Sequence, residues 1–345
     1  MADVARLAGV SLGSVSRALR GSPGVAPELH RRVRDAVRRL GYVPLRRRRA
    51  EAASLRGRTV AVLLLGMQDS LVRLPVVAAA LQGAEAALGE AGARCLLANL
   101  PRPGPLPSSL ERARIDGFVL KSAQQGDVLG RMDAALAERI RAVPSVWVLG
   151  RPGGAPGDAV GPAEESVGRL AAGALVRRGH RRLAFLNPKP DHALFVRRQA
   201  SFTAHARRAG ASVVPVLGAA GRWTLPLGIV DGPRALGELL DRLLRMRRRP
   251  TGVFVPGDSI AAMLYRAMAE RGLRPGRDLS VVSCNHETPL IAGLHPTPVT
   301  VDVHAERIGR RAVARLEERL RDPGAAYEEI GIEPDLVEGG SVATA

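Results

Sequence analysis

Residues 1–20 read MADVARLAGVSLGSVSRALR, and the placing of their small and apolar side chains is what a helix-turn-helix needs. Ala5 falls where a first helix would cross a second, and only a small side chain allows near contact there. Gly9 falls in the turn, where a positive φ is cheap only for glycine. Val4, Leu7, Val10, Val15 and Leu19 are expected to supply one shared apolar face. Ser11 opens the second helix as its N-cap, which leaves Leu12, Gly13, Ser14, Ser16, Arg17 and Arg20 for that helix's start and outer face. Such a face suits a recognition helix in a DNA groove. A plain αα-hairpin has similar spacing, so the surrounding charge has to separate the two readings.

The stretch continues through Gly21-Ser-Pro-Gly-Val25 into a basic helix, Pro27 to Leu40, and closes with Gly41-Tyr-Val-Pro44. Residues 1–58 hold 14 arginines against 4 acids, a net +10, whereas the remainder of the 345 residues nets only +8. A basic head on a near-balanced body is the electrostatic footprint of phosphate binding.

The runs Asp3-Val-Ala5, Ala8-Gly-Val-Ser11, Val15-Ser-Arg17-Ala-Leu19 and Gly41-Tyr-Val-Pro44 resemble the DNA-binding head of the lac repressor/galactose repressor (LacI/GalR) family. Further matches lie at Gly179-His-Arg-Arg182, Pro250-Thr-Gly-Val-Phe254 and Glu306-Arg-Ile-Gly309, so the resemblance spans nearly the whole chain. It implies an α/β protein: a helix-turn-helix head over 1–44, an Arg-rich linker or hinge over 45–58, and a two-lobed body of the type I periplasmic-binding-protein kind over 59–345. Lobe 1 is expected at about 59–160 and 291–322, and lobe 2 at about 161–290 and 323–345, with three crossings between them.

Length and composition set bounds around that reading. A chain of 345 residues is too long for one compact core and suits a small head plus a bilobed body. It has no 18-residue apolar run and no n-region followed by an h-region, so it is expected to stay in the cytoplasm, away from membranes. Cys95 and Cys284 are the only cysteines, each in an apolar, strand-like run, which reads as two buried thiols rather than a disulfide or metal ligands. Lysine occurs only at Lys121 and Lys189. The basic charge is therefore almost all arginine, as a GC-rich genome would also produce.

Beyond the linker, strands and helices alternate. Strands are expected at 59–65, 94–99, 117–120 and 145–149, with helices at 75–91 and 127–142 and a short one before 117. After a Pro/Gly-rich break at 150–162 the rhythm restarts, with strands at 183–186, 213–217, 252–255 and 279–283. Helices at 165–178, 195–209, 234–248 and 259–271 separate them. Two doubly wound parallel sheets in series follow from this order. G-x-G-x-x-G after a strand, the P-loop, G-x-S-x-G and H-E-x-x-H are all missing, and the histidines lack ligand spacing, so neither a cofactor nor a metal is expected and catalysis has no visible machinery. His180, before Arg181-Arg182 and a strand, reads as a loop-fixing residue.

The resemblance places Leu12 and Gly13 at the two exposed positions opening the recognition helix and makes Arg17 the guanidinium of the Val-Ser-Arg motif. Arg17 can offer a bidentate pair to a guanine edge, or else a phosphate contact. Two departures stand out. The family head carries further residues before Asp-Val-Ala, among them a capping Thr. Here Met1-Ala-Asp3 leaves helix 1 without a side-chain cap, and a start upstream of Met1 is one reading of that. The hinge position counted from Pro44 that relatives fill with a minor-groove leucine is Glu51, and the family-like Ala52-Ala-Ser-Leu-Arg56 comes later. Leu55 is then the candidate wedge on a longer hinge, with a solvated Arg46–Arg49 tether as the alternative.

In the cleft, where ligands of open α/β sheets bind, Arg198 holds the arginine position of the family's Arg-x-x-Gly-Phe motif, with Ser201 in place of the glycine. Trp223 matches a tryptophan that stacks on sugar rings in some relatives. Asp258 opens a helix, as a ligand contact or an N-cap. Asn285 stands in Ser283-Cys-Asn-His286 where a carboxylate often accepts sugar hydroxyls, and Gly257 replaces an Asn, so a simple sugar fits less well than another polar effector. Asp69, Ser70, Gln124 and Gln125 are the candidates from lobe 1. With Asn285 in place of a carboxylate, Arg198 is expected to lack a nearby counter-charge, which favours a neutral or anionic ligand.

The reading that unites these features is a homodimeric transcriptional regulator on a pseudo-palindromic double-stranded operator, controlled by a small, possibly sugar-like effector. Its rivals are a solute-binding protein, an enzyme-like α/β protein, and a DNA-binding regulator whose body is a vestigial dimerisation scaffold.

Overall fold

Leu7 is 48% exposed, which corrects one member of the expected apolar face of the head. Val4, Ala5, Ala8, Val15, Ala18, Val33 and Ala36 make the small core instead, with Val10 and Leu19 packed against it. Three helices carry them: α1 (Ala2–Ala8), α2 (Leu12–Arg20) and α3 (Pro27–Arg39). The computed structural model describes residues 1–20, 22, 25–42, 54–67, 74–104, 107–124, 128–221 and 232–345. It divides into two compact units, 1–54 and 55–345.

The second unit holds two six-stranded sheets. Lobe 1 orders its strands β11-β5-β4-β3-β1-β2 and lobe 2 orders them β12-β10-β9-β8-β6-β7. In chain order these are β1 (Thr59–Leu65), β2 (Arg94–Leu100), β3 (Gly117–Ser122), β4 (Ser145–Val148), β5 (Asp158–Pro162), β6 (Arg182–Asn187), β7 (Ser212–Leu217), β8 (Gly252–Phe254), β9 (Ser280–Asn285), β10 (Val299–Asp302), β11 (Glu329–Ile332) and β12 (Asp335–Val337). Described pairings are parallel except β10 with β12. β1 and β3 are buried at every position, as strands covered on both faces must be.

The helices between them are α4 (Pro75–Glu90), α5 (Ser108–Glu111), α6 (Ala134–Ala142), α7 (Glu164–Val176), α8 (Ala193–Arg208), α9 (Gly232–Leu244), α10 (Asp258–Ala269), α11 (Thr288–Ile291) and α12 (Ala305–Arg321). α4 and α12 touch backbone to backbone. A Cβ on Gly309 would lie 1.8 Å from Ala80 O, and one on Gly83 would lie 2.1 Å from Glu306 O. In lobe 2, α7 and α8 approach as closely at Gly168, where a Cβ would meet Phe202 N at 2.4 Å. Leu236, Leu240, Leu243, Leu264 and Met268 of α9 and α10 bury one face of that lobe's sheet.

Several expectations need correction. β5 lies inside the stretch read as a Pro/Gly-rich break, because its Val160 and Ala159 are buried between β4 and β11. α6 begins seven residues later than expected, after a single 3₁₀ turn at Leu129–Arg131, with Asp133 as its N-cap. The crossings also move. β10 belongs to lobe 2, and α12 with β11 belongs to lobe 1, so the chain crosses near 163, 303 and 333. Sheet membership is a long-range property that short runs such as VTVD and EIGI do not announce. Cys284 is buried, but Cys95 is exposed on the edge strand β2.

Leu55 is 1% exposed and packs in the body core, while Gly57 N–H donates to Gly92 O at 2.8 Å. The body therefore begins at Leu55, four residues before the expected boundary. Leu55 is thus held in the body core rather than displayed on a hinge. Arg46–Arg49 and Glu51 lie outside the described residues.

Candidate functional site

In the head, Gly9 takes φ +62° and ends α1, with Val10 N–H donating to Ala5 O at 3.0 Å, the bond pattern of a left-handed helix stop. The Arg32 guanidinium of α3 donates to Ala8 O at 2.6 Å, which satisfies an orphan carbonyl and binds α3 to the turn. Ser11 caps α2: its Oγ accepts from Ser14 N–H at 3.1 Å and lies 3.0 Å from Ser14 Oγ. α1 has no side-chain cap at Met1. With the core side chains turned inward, α2 offers Leu12 (52% exposed), Gly13 and Arg17 to solvent, and Ser14 and Ser16 are half-buried. Arg20 lies in α2, and its side chain is outside the described residues.

Four of the expected cleft residues are described: Gln124 of lobe 1, buried with its Nε2 donating to Ser122 O at 3.3 Å and Gly150 O at 3.0 Å, and Arg198, Asp258 and Asn285 of lobe 2, which fall together. Arg198, on the second turn of α8, is 3% exposed. Its Nε and one Nη donate to the two carboxylate oxygens of Glu164 at 2.7 and 3.2 Å. The other Nη donates to Pro256 O at 2.6 Å and to Asn285 Oδ1 at 3.0 Å. Four of the five guanidinium N–H groups are thus committed. The expected lack of a counter-charge is corrected: Glu164, on the first turn of α7, supplies it. Nothing in the sequence separates Glu164 from the ordinary acidic opening of a helix.

Asp258 is fully buried and caps nothing on its own helix. Its carboxylate accepts from the Ser283 hydroxyl, from Thr300 Oγ1 at 2.9 Å and from Glu287 N–H at 2.7 Å. It fastens the ends of β9 and β10 to α10, which leaves no exposed acceptor for an effector. Asn285, at φ +102°, links Arg198 to Glu287, whose carboxylate its Nδ2 meets at 3.4 Å. Asp69, Ser70, Gln125 and Trp223 lie outside the described residues.

The lobes meet at the carboxyl ends of their strands. Val76 N–H, at the start of α4, donates to Glu287 Oε1 at 3.1 Å, and Ala193 N–H, at the start of α8, donates to Gln124 O at 2.9 Å. Beside the first contact is a groove of about 710 Å³ lined by Val76, Gln82, Asn285, Glu287, His304 and Arg310 among others. Beside the second lies Lys121, 5% exposed, whose Nζ donates to Ser122 O at 2.9 Å and Leu149 O at 3.4 Å. Burial lowers the Lys121 ammonium to about 7 and also lowers Lys189. Burial, then the charges of Lys121, Lys189 and Arg198, holds the His192 imidazole well below its usual range. Glu287 moves the other way, to about 7, through burial and the neighbouring Asp258. Lys121, Glu164, His192 and Glu287 were not among the site residues expected from sequence.

Comparisons with known proteins agree with this anatomy. Residues 1–44 match the profile of bacterial regulatory proteins of the lacI family, and residues 172–342 match a periplasmic binding protein-like domain. The chain is 31% identical over 325 residues to the HTH-type transcriptional regulator CelR of Thermobifida fusca, covering 92% of this chain and 90% of that one. The chain belongs to the LacI family. A second relative, the HTH-type transcriptional regulator reg1 of Streptomyces lividans, is 30% identical, with the match covering 97% of its length and all of this chain. Among solved structures, the transcriptional regulator CelR in complex with cellobiose superposes with a TM-score of 0.66 at 26% identity, covering 98% of both chains. This protein is accordingly a DNA-binding transcriptional regulator of the LacI type. No helix among the described residues is long and apolar enough to cross a membrane.

Proposed function

We propose that this LacI-family regulator is a repressor that works in the cytoplasm as a homodimer, one head on each half of a pseudo-palindromic operator. It performs no catalysis, and a small polar effector bound between the lobes sets its operator affinity. Leu12 and Arg17 of α2 read the major groove, Gly13 lets the helix start approach it closely, and Ser11, Ser14, Ser16 and Arg20 support the contact with the backbone. Arg17 is the base-reading member, because a guanidinium matches the acceptor pair of guanine.

The observation that carries effector control is the way the lobes join. Their described polar contacts are few: Val76 N–H to Glu287, Ala193 N–H to Gln124 O, and an Arg197–Glu329 ion pair at 2.6 Å whose half-exposed side chains make it worth little. The two hydrogen bonds contribute about 1 kcal/mol each, so a ligand contacting both lobes has enough free energy to shift their relative populations. Arg198 and Asn285 build the floor of that site, Asp258 sets the loops around it, and Asp69, Ser70, Gln125 and Trp223 are its further expected contacts.

Full-length protein and an operator selected from a randomised duplex pool test this. Compounds from a metabolite library that raise the melting temperature should change operator affinity at least tenfold, and two protomers should bind per operator. A compound set that stabilises the protein yet leaves operator affinity untouched would reduce the body to a dimerisation scaffold.

A further inference from the structure

Lys121 and Lys189 are the only lysines of a chain that otherwise uses arginine for its basic charge. They come from different lobes, Lys121 from the end of β3 and Lys189 from the loop after β6. Both lie close enough to His192 to act on its charge. Asn187 holds the Lys189 loop by donating from Nδ2 to Lys189 O at 3.1 Å and accepting from Lys189 N–H at 2.8 Å. His192 N–H donates to Lys189 O at 3.1 Å, and the next residue, Ala193, is bonded to Gln124 O beside Lys121.

The acids around this place are already engaged. Glu164 gives both oxygens to Arg198, and Asp258 accepts three bonds from its own lobe. Glu287 is half-protonated near neutrality, and Asp191 accepts from Gly221 N–H at 3.3 Å. Among the described residues no carboxylate forms an ion pair with either lysine. Two further polar atoms beside them are buried with no hydrogen-bond partner there: Ser122 Oγ, in a residue with no exposed surface, and His192 Nδ1. A buried ammonium with one N–H uncommitted, a hydroxyl and an imidazole nitrogen left unmatched are costly unless a further group completes them.

We propose that the cleft ligand carries a compact anion, a carboxylate or a phosphate, which Lys121 of lobe 1 and Lys189 of lobe 2 grip together. The proposal rests on the cleft being the effector site and names the chemistry it selects. Because one anion joins cations of two lobes, its binding draws the lobes together, which a neutral sugar does not do through these groups. Burial that keeps Lys121 near neutrality also makes its charging part of the binding event.

The rarity of lysine gives a direct readout. Full-length protein made with lysine ¹³C-labelled at Cε has two side-chain signals, one per lysine. These are followed while gluconate, ribose 5-phosphate, inorganic phosphate, glucose and ribose are added separately. Both signals are expected to shift together with at least one of the three anions, with the Lys121 signal taking its charged position at neutral pH. Gluconate and ribose 5-phosphate separate a carboxylate from a phosphate preference. Lys121→Met and Lys189→Met, with melting temperatures checked, should each weaken that anion about tenfold to a hundredfold. Signals insensitive to every anion would overturn the proposal, including the case in which an acidic side chain of the chain itself fills the place. Glucose or ribose shifting both signals and changing operator affinity would overturn the anion while leaving effector control intact.

Discussion

Both carboxylate oxygens of Glu164 are held by the Arg198 guanidinium, at 2.7 and 3.2 Å, with both side chains sealed from solvent. Deleting one member strands the other as an unpaired buried charge, which costs about 3–5 kcal/mol. Arg198→Ala should lower stability to urea by that amount. The Arg198→Met/Glu164→Leu pair should recover most of it. An Arg198→Ala protein as stable as the parent would mean that water replaces the lost partner. Any loss of effector affinity in the single variant has to be judged against this destabilisation.

Arg17→Ala should relax preference at one base pair of each half-site, by about 1–3 kcal/mol. Replacing Arg46 to Arg49 with Ala should weaken binding to all sequences alike and flatten the dependence on salt. Both are measured on a randomised operator library at two salt concentrations. A base-specific loss from the linker variant would contradict this division between reading and anchoring.

Gly309→Ala places a methyl group where Ala80 O now lies 1.8 Å away. Neither backbone has a rotamer with which to yield, so the cost should reach the upper end of overpacking, about 3 kcal/mol or more. Gly89, with no atom within 4 Å of a built Cβ, is the matched control in α4. There, alanine should stabilise by about 0.5–1 kcal/mol through helix propensity. Urea midpoints of the two variants give the comparison.

Two buried groups set opposite slopes of stability against pH. Glu287 is raised from 4.5 to about 7, so the folded state binds its proton more tightly. Its contribution is complete below pH 4.5 and is lost as pH rises through 7. Lys121 is lowered from 10.5 to about 7, so the unfolded state binds more protons between those values and stability rises across that interval. These two groups alone set a minimum near pH 7 in the anion-free protein, and His192, whose lowered imidazole makes stability rise with pH up to 6.5, offsets part of the fall on the acidic side. Glu287→Gln should remove the fall on the acidic side, and Lys121→Met the rise on the alkaline side, in urea midpoints taken from pH 5 to 10. A parent curve that is flat from pH 7 to 10 would argue against the burial of Lys121, and an acidic side that Glu287→Gln leaves unchanged would argue against that of Glu287.

The alternation of buried strands with helices, the head and its turn chemistry were legible because they are local. Gly9 needs its φ, Ser11 caps three residues on, and β1 is apolar at every position. What escaped depends on distant partners. β10 and β11 are four residues each, and their sheets are decided by strands far away in the chain. Arg198 was found by motif, yet its counter-ion lies 34 residues upstream in an unremarkable Glu-Glu pair. Lys121 and Lys189 stood out in composition from the start. Only the fold reveals that these two rare residues, from different lobes, both neighbour His192.

The carboxylate of Asp158 is fully buried on β5, and the guanidiniums that hold it, Arg315 and Arg319, come 157 and 161 residues later. β5 also waits for β11 before its open edge is paired. During synthesis, lobe 1 therefore emerges first and is completed nearly last, carrying an acid whose partners are not yet made and a bare strand edge while most of lobe 2 is being made. A nascent chain in that condition is a natural client for chaperones. Translation stalled before residue 315 would release a fragment prone to aggregate, even though most of the two sheets had already been synthesised.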